Sequence, residues 1–178
     1  MTVFVGGIHA VGKTFVLKPI CEGLGVRHAT ASQLIKEQRG LENWTVSRQV
    51  DAIDQNQKAL VAAVQRLEKD GERIVLDGHF VLRRSVNVHE IIGIETFSQL
   101  MVHGVILLEA SVPTIADRLR QRGDVTWSQT EISTFSQKES QHAEFVCKEL
   151  QIPFVKLKAF SEDDVRKAVV ELLRWPSR

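Results

Sequence analysis

Gly7-Ile8-His9-Ala10-Val11-Gly12-Lys13-Thr14 is the stretch on which the reading of this chain turns. It matches the pattern G-x-x-x-x-G-K-[ST], directly after the apolar, β-branched run 2–5 and at the start of a helix-forming segment, 13–24. A strand that turns through glycines into a helix aims successive backbone N–H groups inward and places the helix's positive end beside them, so the turn is built to hold phosphate. Lys13 is expected to reach the β- and γ-phosphates of a nucleoside triphosphate, and the Thr14 hydroxyl to ligate Mg²⁺, a hard cation that prefers oxygen. A second apolar run, 73–76, delivers Asp77, expected to hold the same ion through water, because ligands on open α/β sheets gather at the carboxyl ends of strands. Gly78 follows Asp77 where a motor ATPase would place a water-activating glutamate, which argues against motor-like hydrolysis.

Outward from that loop, the pattern alternates. Segments 26–29, 104–108 and 152–157 read as further strands, making five with 2–5 and 73–76. Helices are expected over 13–24, 32–38, 47–69, the stretch after Ser111 as far as Gly123, 128–150 and the C-terminus, where Ser161 and Asp164 form a cap. The third of these rests on Val46, Val50, Ile53, Leu60, Val64 and Leu67, and Ser128-Gln129-Thr130-Glu131 has the capping-box pattern. Segment 80–100 has no clear period beyond a short helix from Glu95. Strands alternating with helices predict an α/β fold, a five-stranded parallel sheet with helices on both faces.

Composition narrows the class. The chain has 178 residues, 43% apolar and 25% charged, with net charge +1, the profile of one globular domain over 1–178. Neither nucleic acid nor a membrane surface is expected as a partner. Cys21 and Cys147 form no paired motif, and reduced thiols fit a cytoplasmic protein.

With the loop near residue 7, Asp77 followed by His79, and Leu107-Leu108-Glu109-Ala110 before an arginine-bearing helix, the chain resembles the P-loop nucleoside monophosphate kinases, particularly the archaeal-type adenylate kinases and their bacterial relatives. The resemblance implies the three-layer P-loop NTPase fold, ATP held by Gly7, His9, Ala10, Val11, Gly12, Lys13, Thr14 and Phe15, an acceptor segment at about 30–70 and a short lid at about 118–128. Phosphoryl transfer needs positive charge closing over the phosphates, so Arg118 and Arg122, four apart on one helix face, join Lys13 as catalytic candidates, with Arg120 beside them. Near Asp117 and Asp124 the same arginines also read as a solvated basic face.

The acceptor candidates are Ser32, Lys36, Gln57, His79 and Arg83, with Arg84 near the same cleft. Gln57 interrupts an apolar stripe and could face a pocket or be a satisfied buried amide, while Ser32 could be a plain helix cap and His79 a core residue. Glu139, on an apolar helix face, could pair with a lid arginine or stand exposed. The chain departs from the family at Phe15, where a second hydroxyl is common, at Lys36, where arginine is common, and after His79, where no proline occurs. Three functions follow from these residues. The first is a monophosphate kinase, the second a hydroxyl kinase of the shikimate or gluconate type, and the third an ATP-dependent switch; a GTPase is disfavoured by the lack of Asn-Lys-x-Asp.

Overall fold

Thr2–Gly6 forms β1, every residue of it buried, and this strand organises the molecule. The computed structural model describes residues 1–40 and 53–174. After β1 come α1 (Lys13–Leu24), β2 (Arg27–Thr30), α2 (Ala31–Arg39), α3 (Ile53–Lys69) and β3 (Ile74–Asp77). Then follow β4 (Val81–Ser85), β5 (Val88–Ile91), α4 (Ile94–Gln99), β6 (Val102–Glu109) and α5 (Val112–Gln121), and finally α6 (Gln129–Leu150), β7 (Phe154–Lys158) and α7 (Glu162–Arg174). The expected start of the third helix, with Val46 and Val50, lies outside the described residues.

Five parallel strands run in the order β2-β3-β1-β6-β7, the α/β sheet expected from the alternating pattern. Two close contacts show which layer covers which face. Val3 pairs with Gly104, whose missing Cβ would meet Leu172 of α7 at 2.9 Å. Phe4 points the opposite way and packs edge-on against Phe97 of α4, ring centroids 5.4 Å apart. One layer is therefore α7 with α1, which it contacts, and the other is α4 with α3 and α6. Parallel strands covered on both sides must be apolar throughout, which is why β1, β3 and β6 read as continuous hydrophobic runs. Among the described residues, no helix is long and apolar enough to cross a membrane.

Register places the functional groups. Val5 pairs with Asp77, so the carboxyl end of β3 lies beside the end of β1 from which the phosphate loop springs. Segment 80–100 holds what periodicity did not reveal, an antiparallel hairpin of β4 and β5 turning at Asn87, whose φ is +59°. Most of its residues are half-exposed or exposed, so neither an apolar alternation nor a buried run marked it. The capping box is also only half formed. Ser128 Oγ accepts from the Glu131 amide at 3.0 Å, but the Glu131 carboxylate turns inward to Arg83 instead of returning to Ser128, because a guanidinium is the stronger partner. At the last helix the expected cap is complete: Ser161 N and Oγ donate to the Asp164 carboxylate, and Ser161 Oγ accepts from the Asp164 amide.

Candidate active site

The loop from Gly7 to Thr14 needs its glycines for closeness as much as for torsion. At Gly7 (φ +140°) a Cβ would fall 2.5 Å from the Leu108 carbonyl oxygen, so only glycine lets the loop leave β1 against β6. Lys13, buried, donates from Nζ to the Gly7 carbonyl at 2.6 Å and stands 3.9 Å from Asp77 Oδ1. Burial pulls its pKa down from the ordinary value, opposed by the negative charges of Asp77 and Glu139. Thr14 Oγ1 donates to Asp77 Oδ2 at 2.6 Å. The two residues assigned to a divalent ion thus meet side by side, a hydroxyl and a carboxylate, the oxygen donors Mg²⁺ takes. Among the described residues, no group of three His, Cys, Asp or Glu could hold a metal, so an ion here would complete its shell with water and phosphate oxygens, as Mg²⁺ does.

Arg118 reaches the loop from α5, donating from Nη1 to the Val11 carbonyl at 2.6 Å and to that of Ala10 at 3.3 Å. Arg122, one turn later, lines the cleft beside Lys13 and lowers the lysine's pKa further. Arg120 points away and pairs with Asp117 at 2.8 Å on the surface.

The loop opens onto a cleft of about 360 Å³. Ser32, Gln57 and His79 line it, together with His9 to Phe15 of the loop and its following helix turn. Phe15 is 87% exposed. The cap of α2 is Thr30, which accepts from the Gln33 amide, so Ser32 is not the capping residue. Lys36 is exposed and is not among the lining residues. Arg83 does not line the cleft either. Its Nε and Nη2 grip both Glu131 oxygens at 2.8 Å, it donates to Thr126, and its guanidinium lies 4.0 Å from the centre of the Trp127 ring. Arg84 pairs with Glu90 on the surface at 2.9 Å.

Arg83 therefore ties the segment after α5 to the hairpin. The Glu131 carboxylate, fully buried, also accepts from the Asn87 amide at 2.7 Å, and the Arg83 bond chiefly holds its pKa down to about 2. A depressed carboxyl pKa stabilises the fold above the unfolded value, near 4.5, and that contribution fades as pH falls toward 2. Urea unfolding of wild type and Glu131→Gln at pH 6 and pH 3 should show a large stability gap at pH 6 that narrows at pH 3; a gap independent of pH would contradict this account.

Glu139 was expected to meet a lid arginine or to lie exposed, and it does neither. It is buried and accepts from the amides of Gly7 (3.1 Å), Phe80 (3.0 Å) and Val81 (2.8 Å), clamping the start of the phosphate loop to the chain beyond Asp77. Burial raises its pKa against the opposing pull of those amides and of Lys13. The His9 and His79 rings lie 4.2 Å apart, and burial first, then neighbouring charge, lowers both pKa values well below the ordinary histidine range, so both are neutral near pH 7. The far wall, Leu82, Ile92, Phe97 and Leu100, comes from the segment whose sequence showed no clear period; Ile94, Phe97 and Leu100 at helical spacing were the available signal.

A family model described as an AAA domain matches residues 6–134. No curated protein matches the chain significantly in sequence. Solved structures similar in fold include shikimate kinase from Acinetobacter baumannii in complex with shikimate (TM-score 0.61, 11% identity, 97% of this chain and 92% of that one). Others are a putative kinase from Chloroflexus aurantiacus (0.60, 13%, 99% and 97%) and the YorR protein from Bacillus subtilis in complex with phosphorylated GDP (0.59, 15%, 97% and 95%). At these identities the likeness concerns the fold, whereas the family match covers most of the chain. The chain thus belongs to the AAA domain family and carries the P-loop kinase-like α/β fold.

Proposed function

We propose that this protein transfers the γ-phosphoryl group of Mg-ATP to a small acceptor seated in the cleft, a nucleoside monophosphate in the first instance. The observation that carries the reading is the meeting of Lys13, Thr14 and Asp77 in the lining of one cleft. Phosphoryl transfer is largely positioning and charge stabilisation, so what the protein must supply is donors aimed at the transferring group. The Lys13 ammonium would leave its loop carbonyl for the β- and γ-oxygens, and Arg118 and Arg122 would close from α5 over the same oxygens. Thr14 and Asp77 would hold Mg²⁺, which would supply positive charge to offset that of the phosphates. Ser32, Gln57 and His79, which line the cleft, would face the acceptor. The loop and its surrounding basic groups would exclude water once the lid segment closes.

A second acceptor class, a small metabolite with a reactive hydroxyl, is supported by a specific feature. The lysine and arginine among the described lining residues, Lys13 and Arg122, both belong to the transfer end of the cleft, so no second phosphate is drawn to its far end by them. Incubation with Mg-ATP and each monophosphate in turn, then with shikimate and gluconate, separates the two. ADP formation at least tenfold above the acceptor-free rate with one monophosphate is the expected result. Acceleration by a hydroxyl acid alone would move the assignment to the second class, and a flat panel despite saturable ATP binding would refute transfer altogether.

A further inference from the structure

Among the described residues that line the cleft, two buried polar atoms are left without a hydrogen-bond partner, His79 Nδ1, which stands 3.7 Å from a Glu139 carboxylate oxygen, and Gln57 Oε1. Gln57 Oε1 is buried and accepts no hydrogen bond. Its neighbour in sequence differs in this respect, since Asn56 Oδ1 accepts from Arg39 Nη1. Gln57 sits one turn from Leu60 on the face of α3 that lines the cleft, at a place where the stripe of apolar residues would otherwise continue. Buried amide oxygens are nearly always hydrogen-bonded, and one that is not, at the wall of a ligand-sized cleft, calls for an external donor.

What surrounds it restricts the donor. Phe97, Leu60, Leu100, Ile92 and Leu82 supply apolar, partly aromatic surface to the cleft, alongside polar lining residues such as Thr30, Ser32, Asn56 and Thr96. Hydroxyls of a polyhydroxylated acceptor that turned toward the apolar side chains would go unpaired, at a cost that rises with each. A flat heterocycle has apolar faces and a polar edge, and suits the same lining.

The geometry points to Gln57 as the residue that determines acceptor specificity: its Oε1 takes an N–H from the edge of a nucleobase-like ring lying against Phe97 and Leu60, while the acceptor's reacting oxygen faces Lys13 and Asp77. The assignment rests on the cleft being the acceptor site. It names the group that is read, an N–H on a heteroaromatic edge, and the atom that reads it. Gln57 contacts the part of the acceptor that does not react, so its loss should act mainly on binding and hence on KM. Sites that satisfy a buried polar group only through the ligand discriminate strongly against ligands lacking the matching donor.

Calorimetric titration tests this with the phosphate loop filled by Mg²⁺ and a non-hydrolysable ATP analogue. The probes are the four ribonucleoside monophosphates, their nucleosides, and shikimate as a comparator without a base. Wild type should bind at least one base-bearing probe, Gln57→Leu should weaken that binding at least about tenfold, and Gln57→Glu, which keeps an acceptor oxygen, should recover most of it. Gln57→Leu removes an unsatisfied atom from the cleft lining, so its melting temperature should hold or rise, and its affinity for the ATP analogue should stay within about twofold. Equal binding of the base-bearing probe by wild type and Gln57→Leu overturns the inference, as does saturation by shikimate with none by any base-bearing probe. In both cases phosphoryl transfer can still stand, since transfer to shikimate would preserve it. Failure of the ATP analogue to bind wild type would instead remove the proposed function itself.

Discussion

Lys13→Ala is expected to lower phosphoryl transfer by about 10³-fold or more while the chain remains folded. The lysine stands at the head of α1 with its ammonium bonded to loop carbonyls and near Asp77. Its aliphatic stem fills little of the core, whose bulk lies in the sheet and its flanking layers. What is lost is a positive charge in a low-dielectric site, directed at oxygens that gain negative charge as the phosphoryl group moves. A single preorganised donor of that kind carries an effect of this order in other enzymes. Single-turnover assays should show the fall in the chemical step, and circular dichroism and melting should show a folded protein. Residual activity within tenfold of wild type would remove Lys13 from the transfer machinery.

The largest stability effect is expected at Phe80, a fully buried ring next to the active site. It stacks on Phe97 at 4.7 Å between centroids and meets Phe4 edge-on at 4.9 Å. Its Cε2 would be only 2.6 Å from a Cβ on Gly6, so the ring rests directly on the backbone of the central strand. Truncating a large aromatic in such a place removes transfer energy and leaves a cavity bounded by rigid backbone that cannot collapse to fill it. Phe80→Ala should cost about 3–5 kcal/mol, with a fall in melting temperature on the order of 10 °C for a chain of this size. Phe15→Ala, at a residue 87% exposed, should shift stability by no more than about 0.5 kcal/mol and serves as the control. Equal effects at the two positions would mean that the Phe4–Phe80–Phe97 cluster is not the packing centre of that layer.

Much of the scaffold is legible in the sequence. The strand-turn-helix around Gly7 to Thr14 is contiguous, and Asp77 sits at the end of an apolar run, so both follow from short stretches of chain. Their meeting through the Thr14–Asp77 bond follows from parallel pairing of β1 with β3, which the alternation of strands and helices already implied. Arg118, expected as a lid arginine, donates to the loop carbonyls of Ala10 and Val11 from α5, the helix that follows β6.

The misreadings share one cause. Glu139, read as a lid-arginine partner or an exposed carboxylate, and Glu131, read as a capping-box residue, have partners that lie far along the chain. Glu139 binds Gly7 across 132 positions, and Glu131 binds Arg83 across 48. Arg83, placed at the acceptor by its nearness to Asp77, is drawn instead into that distant ion pair, and Lys36 falls on the solvent side of a helix whose other face lines the cleft.

Hydrophobic period and glycine spacing are properties of a single segment, and with the residue types of the loop and of the β3 end they indicate the phosphate loop, the parallel sheet and the candidate Mg²⁺ pair. Which carboxylate clamps which amide, which arginine is committed to an ion pair, and that Gln57, in the lining of the cleft, keeps an unpaired oxygen were decided only in the tertiary structure. Such choices are made between elements far apart in the chain, where desolvation and the geometry of packing select one partner among several that are chemically equivalent along the sequence.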